Sequence, residues 1–415
     1  MSETFKPGTP EQVLEAVRWA MAEEKSLDVA GSRSKTALGR PAETDNRLDV
    51  AAISGIVLYE PEELVLTARA GTSMAEIEAA LAGKNQQLAF EPGDLGPLLG
   101  IAGGSGNIPG NVAGTLGGIV ACNLAGPRRI KIGSARDHLL GFRAVSGRGE
   151  SFKSGGRVVK NVTGFDLSKL ITGSFGTLAV MTEVTVRALP APEKTRTVLV
   201  FGCSDDTAVR AMTAALQTPY EVSGASHLPT DIAATSKVAA VAAAGGAVTA
   251  VRVEGPGPSV EFRCGALRDL MAPFGEVEEL HSANSLTFWR EVRDVAYFVG
   301  AGERQVWRLS VPPADGARVA SQVLSAVEGR VFYDWGGGLV WLAMAPRANA
   351  GHEAVRTVIS VAGGHATLIR AEDAVRAKVP VFQPQPGPLA ALTRRIKQGF
   401  DPKGVLNPGR MYEGV

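Results

Sequence analysis

Apolar residues recur at helical spacing near the start of the chain, at Val13, Leu14, Val17 and Met21. Thr9, Pro10 and Gln12 stand before them in the order of a capping box with proline in the first turn, so a helix should begin there. Residues 27–30 then read as a short strand. It runs into a small, polar, basic loop of Gly31, Ser32, Arg33, Ser34, Lys35 and Thr36. Two more strands are expected over 55–59 and 64–70, punctuated by Pro61, Glu62 and Glu63. Gly71 turns the chain, and Ser73 with Glu76 opens a second helix. Its apolar stripe is Met74, Ile77 and Leu81, and it stops at Gly83.

Farther along, residues 140–146 and 150–153 flank Gly147-Arg148-Gly149 as in a hairpin. Residues 165–171 look helical and end near Gly173, and 177–189 alternate like a long strand. Pro190-Ala191-Pro192 is the best domain boundary. From 195 to 375, Ala-rich helices mix with strands such as 248–253, 305–311 and 339–343. Residues 380–388 hold four prolines and read as an extended linker. A terminal helix over 389–398 follows. No internal repeat is visible.

Composition narrows the function classes. At 415 residues the chain has room for two or three domains. With 43 Lys+Arg against 42 Asp+Glu it has no electrostatic footprint for nucleic acid or an anionic membrane. Aromatics are only 6%, which disfavours a base-stacking platform. Cys122, Cys203 and Cys264 are far apart and form no CxxC, so structural zinc, an iron–sulfur cluster and a disulfide framework are disfavoured. The polar N-terminus lacks the apolar region of a secretory signal. The longest apolar run, 238–251, is broken by Gly245-Gly246 and is too short to span a bilayer. A soluble, cytoplasmic protein is expected.

Gly is the informative excess: 49 residues, about 12% against a usual 7%. It is dense between 93 and 126, as where backbone packs close to a ligand. No Walker A sequence is present, and Gly104-x-Gly106 has Pro109 where a dinucleotide fingerprint needs glycine. HExxH and GxSxG are absent. His138, His227, His281, His352 and His365 are scattered. What remains is a loop, Gly31 to Lys35, able to offer backbone N–H donors and two cations to a diphosphate, and a second glycine-rich surface at 114–118.

The order of these signals resembles one family. Val29-Ala30-Gly31-Ser32-Arg33-Ser34-Lys35 comes first. Pro61-Glu62-Glu63-Leu64 through Ala70-Gly71-Thr72 comes next, then Gly114-Thr115-Leu116-Gly117-Gly118, then the stretch from Gly155 to Asp166. LITGSFGT over 170–177, Thr182-Glu183-Val184 and the terminal FDPKGVLNPGR complete the series. The whole chain resembles the FAD-binding subunits of bacterial glycolate oxidases, within the vanillyl-alcohol-oxidase-like, PCMH-type flavoproteins. The motifs cover 27–190 and 400–410, and the middle matches less distinctively.

The resemblance implies an α+β fold. A PCMH-type FAD-binding domain of two α+β subdomains would occupy 1–190. An α+β cap, for substrate or partner binding, would occupy 195–380. A C-terminal segment, 381–415, would pack back on the flavin domain. FAD contacts would fall on Gly31, Ser32, Arg33, Ser34 and Lys35 at the pyrophosphate, and on Pro92, Gly93, Gly114, Thr115, Leu116, Gly117 and Gly118 near the dinucleotide. Lys160, Asn161, Gly164, Val180 and Glu183 would lie toward the adenine-ribose end or the flavin wall, and Asn407 near the ring. The pyrophosphate loop has no His, and Cys122 sits in a run of small residues, so FAD should be held non-covalently.

Related 2-hydroxy-acid dehydrogenases carry a His-Gly-Asp-Gly-Asn motif for metal and substrate. This chain has only the faint echo Gly363-Gly364-His365, and no metal site is expected. Arg370 and His365 are the candidates for the carboxylate cation and the base. The resemblance implies a subunit of a glycolate-oxidising complex that works with a related catalytic FAD subunit and an iron–sulfur subunit. The substrate would be a small hydroxy acid, and any membrane association would run through partners. Two other readings stay open: a self-sufficient FAD oxidase or dehydrogenase of another hydroxy acid or alcohol, and a non-catalytic flavin-fold scaffold.

Overall fold

The computed structural model describes residues 2–44, 46–100, 114–156, 165–300 and 304–415. The chain forms two compact units. The first comprises Met1–Leu124, Ser134–Pro190 and Pro384–Val415; the second comprises Ala125–Gly133 and Ala191–Gln383. The chain therefore leaves the first unit twice, once for nine residues after Leu124 and once at Pro190.

The first unit holds two sheets. The smaller is parallel and three-stranded, with Arg47–Asp49 between Thr4–Phe5 and Asp28–Ala30. Helix Pro10–Ala22 covers it. Thr9 caps that helix by accepting the Gln12 N–H, while the Gln12 side chain takes the N–H of Gly8. Val13, Val17 and Ala20 pack with Leu27, Leu48, Val180, Val405 and Leu406 in one core cluster.

The larger sheet is antiparallel and runs Ile56–Glu60, Val65–Arg69, Ala179–Pro190, Leu139–Ser146, Ser151–Gly155, with Gln86–Leu88 pairing the far end of Ala179–Pro190. Its apolar face, including Leu66, Ala68, Val184 and Val186, meets Ile77 and Leu81 of helix Met74–Ala82 and Leu116, Ile119 and Val120 of helix Leu116–Cys122. Residues 165–171 form a shorter helix than their composition suggests, Leu167–Ile171, because Asp166 caps it. The terminal helix starts earlier, at Gly387, where Pro386 and Pro388 suit the cap and first turn.

The second unit is built on one eight-stranded antiparallel sheet. Its order is Val277–Leu280, Lys194–Phe201, Val248–Gly255, Gly224–Leu228, Gly329–Asp334, Leu339–Met344, Gln305–Ser310, His365–Arg370. Helices Asp205–Leu216 and Gly257–Met271 bury Met212 and Leu267 against Val198, Val251 and Val253. Helices Gly316–Ala326 and His352–Ala362 bury Val323 and Ile359 against Trp307, Leu342 and Leu368. No helix among the described residues is long and apolar enough to cross a membrane.

Candidate functional site

A cleft of about 780 Å³, open to solvent, lies in the first unit beside the end of strand Asp28–Ala30. Its walls come from four places. Residues 28–36 form one side. Thr115, Gly117, Gly118, Ala121 and Cys122 form another. Phe175, Gly176, Ala179, Val180 and Met181 form the third, and Asn407 with Arg410 closes the edge.

The loop after the strand is bent by Arg33, at φ +59°. Such a left-handed residue in a turn makes successive N–H groups converge. Among the described residues, no protein group accepts from the backbone N–H of Gly31, Ser32, Arg33 or Ser34. The Arg33 guanidinium meets Asp28 at 2.8 Å through Nη1, and its Nη2 is buried with no partner. Lys35 is 8% exposed. Its Nζ donates to Ser34 Oγ at 3.1 Å, and Ser34 Oγ also meets Ser32 Oγ at 3.4 Å. Arg410 donates to the carbonyls of Lys35 and Thr36 at 3.1 and 2.9 Å, which fixes the loop's far end.

Burial pushes the Lys35 ammonium below its ordinary value, opposed by the nearby Cys122 and Asp94. Burial pushes the Cys122 thiol up, opposed by Lys35 and Arg410. The cleft thus sets the Arg33 and Lys35 cations beside unsatisfied donors, while burial favours the protonated form of Cys122, the one cysteine among its described lining residues.

Glycine serves two different ends here. A Cβ at Gly31 would lie 2.5 Å from Thr115 Oγ1, so glycine is needed where the loop crosses the start of the helix. A Cβ at Gly117 would lie 2.8 Å from Ala70 Cβ and 2.9 Å from its carbonyl oxygen. Gly117 is therefore small for helix–strand packing before any ligand is considered. Gly118 is open by comparison, with only Thr115 Oγ1 at 3.2 Å.

Of the residues singled out in the sequence, Gly31, Ser32, Arg33, Ser34, Lys35, Thr115, Gly117, Gly118, Val180 and Asn407 line this cleft. Gly114 sits behind it, where a Cβ would approach Ser34 Oγ to 2.7 Å. Leu116 is buried in the apolar core, and Glu183 pairs with Arg69 and Arg143 at 3.3 Å each. Pro92 and Gly93 are not among the lining residues. Lys160, Asn161 and Gly164 lie outside the described residues. Met181, Ala70 and Arg410 line the cleft without having been singled out. Arg410 closes the terminal FDPKGVLNPGR motif, and that was its only signal.

Arg370 and His365 both lie in the second unit, at opposite ends of strand His365–Arg370. Five steps of about 3.3 Å separate them by roughly 17 Å, too far to share one small substrate. The Arg370 guanidinium donates to the carbonyls of Arg304 and Phe298 at 2.8 and 3.2 Å. Burial, then Arg308 and Arg129, hold the His365 imidazole below its ordinary value. No group of three or more His, Cys, Asp or Glu side chains among the described residues is arranged to hold a metal.

The cleft fits a dinucleotide with a diphosphate. The open N–H groups and the orphaned Arg33 Nη2 match phosphate oxygens, and the small residues at 117, 118 and 121 leave room for a flat ring.

Comparison with known proteins agrees. Residues 2–155 match the model of an FAD binding domain. The chain is 35% identical to glycolate oxidase subunit GlcE of Escherichia coli over 402 residues, 96% of each chain. It is 27% identical to an uncharacterized FAD-linked oxidoreductase of Mycobacterium tuberculosis, over 98% of this chain and 90% of the other. Among solved structures, alkyldihydroxyacetonephosphate synthase superposes with a TM-score of 0.70 at 16% identity, covering 98% of this chain and 75% of that one. For p-cresol methylhydroxylase the TM-score is 0.69 at 13% identity, over 98% and 88%. The α+β architecture expected from the sequence is thus the one found, and the chain belongs to the PCMH-type FAD-binding family of flavoprotein oxidoreductases.

Proposed function

We propose that this chain is an FAD-carrying subunit of a multi-subunit glycolate oxidase, oxidising glycolate to glyoxylate together with partner subunits in the cytoplasm. The observation that carries this reading is the 35% identity to glycolate oxidase subunit GlcE across 96% of both chains. A shorter match, 37% over 98 residues, links it to glycolate oxidase subunit GlcD of Bacillus subtilis. Those two names motivate a complex with a related flavin subunit. An iron–sulfur subunit is added because no group of three or more His, Cys, Asp or Glu side chains among the described residues is arranged to hold a metal, so such a centre would belong to a partner.

FAD, when bound, supplies a centre that takes electrons in pairs and releases them singly. The chain's own residues do the rest. The N–H groups of Gly31 to Ser34 and the Arg33 guanidinium bind the diphosphate, and Lys35 offsets its charge. Val180 and Met181 form an apolar wall that excludes water. Asn407 and Arg410 hold the two edges of the cleft in place through backbone carbonyls.

The test compares the isolated chain with the chain co-expressed with a second flavin subunit and an iron–sulfur subunit. Glycolate should bleach the flavin of the isolated chain slowly, because a positioned base is worth roughly 10²–10⁴ in rate. Co-expression should restore dye reduction. Rapid, stoichiometric bleaching of the isolated chain would replace this reading with a self-sufficient dehydrogenase.

A further inference from the structure

The nine residues Ala125–Gly133 belong to the second unit although both flanks belong to the first. Three contacts anchor them there. Trp335 Nε1 donates to the Gly126 carbonyl at 3.0 Å. Arg128 forks onto Glu254 at 3.0 and 2.8 Å. Ile130 packs against the apolar cluster around Val198 and Val251.

This anchoring fixes Arg129, whose guanidinium carbon lies over the Trp335 ring, 4.4 Å from its centroid. Arg308, from strand Gln305–Ser310, lies over the same ring at 4.9 Å. His365 is opposite Ser310 on the neighbouring strand, two residues from the partner of Arg308. Other arginines of this unit have carboxylates: Arg196 has Glu279 and Glu261, and Arg330 has Asp231. Among the described residues, neither the Arg129 nor the Arg308 side chain has a hydrogen-bond acceptor or a carboxylate at ion-pair distance. Asp334 is nearby, but its Oδ1 takes the backbone N–H of Trp335 at 2.7 Å.

We propose that Arg129 and Arg308, held on Trp335, form a binding subsite for a small 2-hydroxy carboxylate, with His365 at its edge. It deepens the reading above by naming where this chain would take a carboxylate substrate.

Two cations held on one ring repel each other, and a bound carboxylate offsets that repulsion through charge-assisted hydrogen bonds to their guanidinium N–H groups. Cation–π attraction keeps both forks in place. Burial and the Arg129 charge push Arg308 down to about 10, so it remains cationic at neutral pH. His365 is held toward its neutral form and can accept a hydrogen bond from the hydroxyl next to the bound carboxylate.

The experiment is calorimetric titration of the full-length, FAD-loaded protein with glycolate, acetate and inorganic phosphate. Glycolate should bind at one site, more tightly than acetate or phosphate. Arg308→Gln and Arg129→Gln should each weaken it about tenfold or more. Arg318→Gln, which removes an arginine already paired with Asp315, should leave it unchanged. Arg129 is exposed, so its variant should fold even if the Arg308 variant does not. The proposal is overturned if glycolate does not bind, if Arg129→Gln binds it as wild type does, or if phosphate binds equally well. Flavin content, read by absorbance on the same samples, reports failure of the cofactor reading separately.

Discussion

Asn407 Oδ1 accepts the backbone N–H of Val29 at 2.6 Å, across 378 residues of chain. Its Nδ2 donates to the Phe175 carbonyl at 2.7 Å. The backbone on either side is stitched in as well: Leu27 N–H reaches Val405 O at 2.8 Å, and Asn407 N–H reaches Leu27 O at 3.0 Å. The C-terminal segment is therefore a structural edge of the strand that delivers Gly31 to the cleft. Asn407 holds φ +43°, a conformation Asn tolerates better than most residues.

Asn407→Ala should remove the acceptor for Val29 and the donor for Phe175, both in a nearly closed site where Asn407 is 3% exposed. Leaving those groups unsatisfied costs roughly 2–4 kcal/mol. We expect a lower thermal midpoint and FAD loss on gel filtration. Wild-type FAD retention in this variant would mean that the segment does not shape the cleft.

The two adjacent glycines should behave differently. From sequence alone, Gly117 looks like the place where backbone meets ligand. The structure puts Ala70 there first. Gly117→Val should accordingly destabilise the first unit, by about 1–3 kcal/mol or more, and lose FAD as a consequence. Gly118→Val, which meets only Thr115 Oγ1 at 3.2 Å, should keep the fold and lose FAD by filling the cleft. Circular-dichroism melts beside equilibrium dialysis with FAD separate the two effects. The assignment fails if Gly118→Val melts early or binds FAD normally.

How far the sequence could be read depended on the range of the interactions. Local chemistry was legible: Thr9 and Ser73 cap the helices their spacing announced, and the hairpin around Gly147–Gly149 forms as expected. The loop Gly31 to Lys35 was legible because its glycine, hydroxyls and cations are adjacent in sequence. What escaped was set by distant partners. Thr4–Phe5 and Arg47–Asp49 are too short to show a period and exist only by pairing with each other and with Asp28–Ala30. The excursion Ala125–Gly133 has no compositional break beyond Gly126-Pro127 and Gly133, so Arg129 could not be placed beside Arg308. His365 and Arg370 are the residue types a base and a carboxylate cation require, but one strand carries them at its two ends and keeps them apart.

FAD should be released intact by acid precipitation. Among the described residues that line the cleft there is no histidine, and the one cysteine there, Cys122, is a thiol whose ionisation burial pushes up. A protonated thiol is a poor nucleophile. The yellow chromophore should therefore appear in the supernatant, and the mass of the denatured chain should equal that of the polypeptide. Colour retained in the pellet, or an added flavin mass, would refute non-covalent binding.

The buried pair Lys397 and Asp401 ties the terminal helix to the turn before strand Ala179–Pro190 and to the C-terminal segment. Lys397 Nζ donates to Asp401 Oδ2 at 2.7 Å, to Thr177 O at 2.7 Å and to Leu406 O at 2.8 Å. Asp401 also accepts from the N–H groups of Val405 and Leu406 at 2.9 and 2.8 Å, so the pair supports the turn that leads to Asn407. Removing one partner strands the other charge in the interior, at a cost of about 3–5 kcal/mol. Lys397→Met should thus lower the urea midpoint of the first unit substantially and weaken FAD retention from a distance. The pH dependence has a definite sign. Burial lowers the Lys397 ammonium below 10.5, with Asp401 opposing. In the window between the folded value and 10.5, the unfolded chain binds more protons than the folded one, and stability rises with pH. The Lys397 contribution is complete above 10.5 and is lost as pH falls through the folded value. Wild type should therefore gain stability relative to Lys397→Met as pH approaches 10.5 from below. A gap that narrows over that range would mean that Asp401, not burial, dominates the pair.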